Sequence, residues 1–109
     1  MNKTDLITES EKELKKGIDF SEKYDYQTAI SCFSEAIRLD PKNAIAHYNR
    51  GNAYGNLGKY DKAIRDYTEA MRLDPNDAGD YYKRGIAYNM LGKYNEAIRD
   101  YTEAIRLNP

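Results

Sequence analysis

Gly58-Lys-Tyr-Asp-Lys-Ala-Ile-Arg-Asp-Tyr-Thr-Glu-Ala-Met-Arg-Leu-Asp-Pro75 decides the fold, because the chain says it again. It returns almost verbatim from Gly92 to Pro109 and more loosely from Tyr24 to Pro41, each copy 34 residues from the next. A period of that length marks repeated supersecondary units that stack. Phased on the prolines, the units are residues 10–43, 44–77 and 78–109, preceded by a polar extension, 1–9. Units 2 and 3 agree at 21 of their 32 shared positions, and units 1 and 2 at 10. A register kept that well does not arise by chance.

Each unit reads as two helices around a tight turn. In unit 2, Asn43 is placed to cap a helix over 44–57. Gly58 then offers the residue that takes positive φ at a helix end, and Asp61 is placed to cap a second helix to about Leu73. Pro75 forbids its continuation. Unit 3 repeats the scheme with Asp77, Gly92, Asn95 and Pro109. In unit 1 the capping box Thr8-Glu-Ser-Glu11 predicts a first helix from about Glu9 to Lys23. Its Glu/Lys-rich character suits a terminal unit with one face in water. Tyr24 replaces the turn glycine, so that turn should differ locally.

The second helices carry apolar residues at i, i+1, i+4, i+7 and i+8: Ala63, Ile64, Tyr67, Ala70 and Met71, then Ala97, Ile98, Tyr101, Ala104 and Ile105. That spacing is one buried helical stripe. Tyr26, Tyr54, Tyr60, Tyr67, Tyr88, Tyr94 and Tyr101 recur in register, with Phe20 and Phe33 in the matching places of unit 1. Packing between helices is the plain reading of them.

These residues resemble the tetratricopeptide repeat, whose pattern keeps Gly, Tyr, Ala, an aromatic, Ala and Pro at fixed places. The chain supplies Gly17, Gly51 and Gly85; Phe20, Tyr54 and Tyr88; Ala29, Ala63 and Ala97; Phe33, Tyr67 and Tyr101; Ala36, Ala70 and Ala104; Pro41, Pro75 and Pro109. Two places depart. The family's Trp is Glu13, His47 or Tyr81 here, and its Leu before the Gly is Lys16, Arg50 or Arg84. Those basic residues are placed to lay their stems on the core edge and reach a carboxylate of the following helix. The resemblance implies an all-α solenoid, a right-handed superhelix of three units and six helices. It also implies a concave groove, lined by the first helix of each unit, that holds a peptide or partner segment without catalysis.

Differences between units single out one face of the first helix, the face that the resemblance implies looks into the groove. The second helices of units 2 and 3 differ only at 61/95, 62/96, 71/105 and 74/108. Most other changes sit on the first helix: Ile45/Gly79, Asn49/Lys83, Asn52/Ile86 and Asn56/Met90, spaced i, i+4, i+7, i+11. At about 100° per residue that is one stripe; the changes at 46/80, 47/81 and 55/89 lie off it. The expected lining is Tyr48, Asn49, Asn52, Asn56, Tyr82, Lys83, Ile86 and Asn89. Asn can donate to and accept from an extended backbone, and Tyr adds apolar area with a polar tip. A solvated face free to drift is the competing reading. Some tetratricopeptide domains grip the C-terminal carboxylate of chaperones such as Hsp70 and Hsp90 with a Lys/Asn clamp. Its five places fall on Leu14, Ile18, Asn49, Gly79 and Lys83, of which Asn49 alone matches outright. A carboxylate taken from water needs several donors, so the clamp is not expected.

Charged residues make up 32% of the 109, yet the net charge is -1, with none of the basic excess of a nucleic-acid binder. No apolar run is long enough to span a membrane, and Met1 to Glu9 lacks the apolar core of a secretory signal. The single cysteine excludes an internal disulfide; a cytoplasmic location is expected. One His and one Cys leave no usual zinc site. His47 is expected to pack, and Cys32, aligned with Asp66 and Asp100, to be exposed. No cofactor and no catalytic constellation is expected. Residues 53–59 only faintly resemble a phosphate loop, lacking its first Gly and final Ser/Thr. The last helix has no following neighbour, so Tyr94, Ile98, Tyr101 and Ile105 form an open apolar face. Two expectations follow: the chain is part of a longer array, or that face pairs with a second copy.

Overall fold

A computed structural model describes all 109 residues as six α-helices and no strand. They are α1 (Lys3–Glu22), α2 (Tyr26–Leu39), α3 (Ala44–Asn56), α4 (Tyr60–Leu73), α5 (Ala78–Met90) and α6 (Tyr94–Leu107). Consecutive helices pack in pairs along a body of 44 × 27 × 20 Å. The first helices also touch each other, α1 on α3 and α3 on α5, whereas α2 does not reach α4, nor α4 α6. A stack closed on one side and open on the other curves, with α1, α3 and α5 on the inside. No helix is long and apolar enough to cross a membrane.

Within each hairpin a glycine lets the second-helix ring lie on the first-helix backbone. A Cβ at Gly51 would sit 2.8 Å from the Tyr67 ring, and one at Gly85 would sit 2.7 Å from Tyr101. Gly17 meets Phe33 in the same way. Alanines 29, 36, 46, 53, 63 and 70 are essentially sealed from solvent, so the helices close to backbone distance around them.

Four sequence expectations are corrected. First, α1 begins at Lys3, because Asn2 caps it by accepting from the Asp5 amide at 2.9 Å. The Thr8 hydroxyl is spent on the Thr4 carbonyl inside the helix instead of opening it. Second, the N-caps of α4 and α6 lie two residues before Asp61 and Asn95. Lys59 and Lys93 hold the N-cap positions without a side-chain hydrogen bond. Asp61 falls in the first turn, where its charge still suits the helix dipole.

Third, the unit 1 turn does not differ. Tyr24 adopts φ 65°, beside 75° at Gly58 and Gly92. Asp25 N–H donates to Phe20 O and Tyr24 N–H to Ser21 O, both at 2.9 Å, matching Lys59 to Tyr54 and Gly58 to Gly55. These two bonds satisfy the last carbonyls of the helix; the stack imposes the turn and the side chain bears the strain. Fourth, Cys32 is buried at 8% exposure. The aspartates at its position are buried too, held by arginines that unit 1 lacks.

Candidate peptide groove

Arg50 Nε and Nη2 donate to the two oxygens of Asp66 at 2.8 Å each, and Nη1 reaches Ser34 Oγ at 3.2 Å. Arg84 repeats this on Asp100 at 2.7 and 2.8 Å and on Thr68 at 3.1 Å. Each arginine therefore ties its own hairpin together and fastens it to the one before. Their guanidinium groups lie over Tyr54 and Tyr88, with the guanidinium carbons 5.9 and 5.6 Å from the ring centres. Burial pushes the Asp66 carboxyl up, but the Arg50 bonds and His47 outweigh it, so the group ends below the usual range. His47 is buried as expected, its Nε2 3.3 Å from the Pro41 carbonyl and its Nδ1 3.8 Å from Asp66. In unit 1, Lys16 instead pairs with Glu13, and the neutral Cys32 needs no partner.

This scaffold fixes the inner face of α3 and α5. Between them lies a cavity of about 220 Å³, and Asn52, Asn56, Lys83 and Ile86 all line it. Its floor is Ala63, Tyr67 and Ala87, and Met90 closes one end. Tyr67 O–H donates to Asn52 Oδ1 at 2.6 Å. Asn56 donates to the Asn52 carbonyl at 3.0 Å and Asn49 to Ile45 at 2.9 Å, so both keep a free amide oxygen. Lys83 has no ion-pair partner. The cavity thus offers a free amide oxygen on Asn56 and the unpaired cation of Lys83 beside apolar side chains, while Asn49 lies outside it.

The remaining expected lining residues fall elsewhere. Tyr48 stacks on Tyr67 with ring centres 5.9 Å apart and borders a separate small pocket. Tyr82 packs on Tyr101 at 6.0 Å and lines an open concavity of about 640 Å³ at the end of the stack. Asn89 is exposed and lines neither. Met90 lies on the variable stripe and was legible there; Tyr67 was hidden by its evident role in packing. Ser10 gave no signal at all. Fully buried, it donates to the Ala36 carbonyl at 2.7 Å and accepts from Asn43 at 3.1 Å, pinning the start of α3 to unit 1.

On the last hairpin, Tyr94, Ile98 and Ile105 are 62%, 61% and 64% exposed. Their counterparts Tyr60 and Ile64 are half-buried and Met71 is buried where α5 packs on α4.

Antiparallel helix pairs stacked around an inner cavity define a helical-repeat scaffold. The chain belongs to the tetratricopeptide repeat family: the family profile Tetratricopeptide repeat matches residues 44–77 and 80–109, and the profile TPR repeat matches 17–58. No curated protein matches the chain. Among solved structures, the second TPR of Spaghetti (RPAP3) bound to the HSP90 peptide SRMEEVD is 32% identical, covers 97% of both chains and superposes with a TM-score of 0.94. The Arabidopsis OM64 TPR domain is also 32% identical with a TM-score of 0.94, over 95% of this chain and 86% of its own. The second TPR domain of human RPAP3, in complex with the HSP70 peptide SGPTIEEVD, is 31% identical with a TM-score of 0.89, over 99% and 88%.

Proposed function

We propose that this chain is a non-catalytic scaffold that binds an extended peptide along the inner faces of α3 and α5. The observation that carries the reading is the convergence of Asn52, Asn56, Lys83 and Ile86 on one cavity. They are residues at which otherwise duplicate units differ. The RPAP3 domains, which share the fold, are peptide complexes. A single groove of this kind binds in the micromolar range, about 8 kcal/mol. Selection of a displayed random-peptide library on the native chain tests it. Peptides so obtained lose at least tenfold affinity for the Asn52→Ala/Asn56→Ala chain. Equal affinity would refute the groove.

The peptides in the RPAP3 complexes are acidic at their C-termini. The groove here is read as selecting otherwise. Leu14, Ile18 and Gly79 offer no side-chain donor at three of the five clamp places, leaving Asn49 and Lys83. Titration with SRMEEVD checks this: affinity no better than that of the same peptide amidated at its C-terminus is expected, and a clear carboxylate dependence would restore the clamp.

The exposed Tyr94, Ile98 and Ile105 favour a second reading, self-association through the open end of α6. Tyr101 is unsuited to probing it, because its ring packs on Gly85 inside the hairpin. Ile98→Glu is the clean variant. Light scattering that shows a native dimer converted to monomer by Ile98→Glu supports this reading, and a native monomer at high micromolar concentration excludes it.

A further inference from the structure

Three carboxylates gather where the α4–α5 connection meets the start of α3. Asp74 ends α4, Asp77 caps α5 and Asp80 lies in the first turn of α5. With Ala44, Ile45 and Tyr48 they line a pocket of about 60 Å³. Asp77 is occupied, accepting from the Gly79 amide at 2.9 Å. Asp80 is not: the residue is 2% exposed, and its carboxylate has neither a hydrogen-bond donor nor a cation. Every other buried carboxylate of this chain, Asp66 and Asp100, is clasped by two guanidinium N–H groups. Packing does not demand an acid at this place, since unit 2 fills it with the fully buried Ala46. A carboxylate with so little access to water and no donor is destabilising. Burial, with Asp77 and Asp74 beside it, lifts the Asp80 carboxyl to about 7. Positive charge is what the pocket lacks.

The pocket holds about two water volumes, which suits an ammonium group. A metal ion is less apt, because no three acidic or His/Cys groups are arranged to ligate one. The pocket opens beside Ile45, the first residue of the variable stripe and 59% exposed, whose side chain offers an apolar wall for a methylene stem. We propose that it receives the lysine ammonium of a peptide lying in the groove, with Asp80 as the main counter-charge. This rests on the peptide-groove reading and adds a specificity: the bound segment carries a lysine near the N-terminal ends of α3 and α5, and acidic residues are turned away there.

The test uses the isotope-labelled full chain and capped seven-residue peptides with a central lysine, norleucine or glutamate in one neutral background, followed by amide chemical shifts. The lysine peptide should shift the amides of 44–48 and 77–80 and bind at least tenfold more tightly than the norleucine peptide. Asp80→Ala, which installs the residue of unit 2, and Asp80→Asn should each reduce lysine binding to the norleucine level and leave norleucine binding unchanged. Circular dichroism checks that both variants fold. Equal lysine and norleucine affinities on the native chain, or a lysine preference kept by both variants, would overturn the pocket while the groove stands. Saturation of the same amides by calcium or magnesium chloride alone would replace it with a metal site. Failure of all three peptides to move any groove amide would overturn the groove and the pocket together.

Discussion

Asp80 is the residue at which this chain gives up stability. Its carboxyl titrates near 7 in the fold and near 4 when unfolded. The folded state therefore binds the extra proton between those values, and stability falls as pH rises from about 4 to about 7. The expected loss is ~2–4 kcal/mol. Asp80→Ala should raise the thermal midpoint at pH 7.5 and flatten that slope; an unchanged midpoint would show the carboxylate already satisfied. Asp66 acts in the opposite direction, adding stability above the usual carboxylate range that is lost as acid protonates it. Tyr24 is a second strained residue. At φ 65° a side chain costs about 1–2 kcal/mol relative to glycine. Tyr24→Gly should therefore stabilise by about 1 kcal/mol in urea denaturation, with 80% of the Tyr24 side chain already in solvent and little packing to lose. Neither residue could be read from local preference. Tyr24 obeys a turn geometry set by its neighbours in the stack, and Asp80 lies off the variable stripe at a place where the other units carry Lys12 and Ala46.

The elements were legible where repetition displayed them. Helix order, the capping by Asn43 and Asp77, the turns at Gly58 and Gly92 and the arginine–carboxylate pairs all follow from comparing one unit with another. What failed was reading one position at a time. Cys32 was expected in water because aspartates share its place, yet the same units that carry Asp66 and Asp100 also carry Arg50 and Arg84. Unit 1 has Lys16 and Cys32 instead. The two positions change together because a buried acid needs its guanidinium. Removing Arg84 alone strands Asp100 and should cost about 3 kcal/mol. Arg84→Ala with Asp100→Ala should cost less than Arg84→Ala alone. Chemical denaturation of the three variants measures the coupling, and strict additivity would show the pair to be a bystander. The start of α1 was misplaced for a plainer reason, two competing caps six residues apart, of which Asn2 prevails.

For the whole molecule, contacts run only between neighbours, so stability should be distributed along the stack. α4 packs on both α3 and α5, while α6 has α5 alone. Hydrogen exchange should find α6 less protected than α2 and α4, which are packed on both sides; uniform protection would mean the stack opens as a single unit. The same geometry separates the surfaces that repeat from the stripe that does not. Of the expected groove residues, Asn52, Asn56, Lys83 and Ile86 meet in one cavity, whereas Tyr48 and Tyr82 sit in neighbouring hollows and Asn49 and Asn89 stand apart. Periodicity gives the face of a helix but not which residues on adjacent helices converge. The direct measurement is the affinity of a library-selected peptide for the native chain and for one in which α3 takes three of the four stripe residues of α5, Asn49→Lys, Asn52→Ile and Asn56→Met. The predicted result is at least a tenfold loss of affinity with stability kept within about 1 kcal/mol, the Tyr67–Asn52 hydrogen bond being the main thing lost. Undiminished affinity, or a chain that no longer folds, would contradict it.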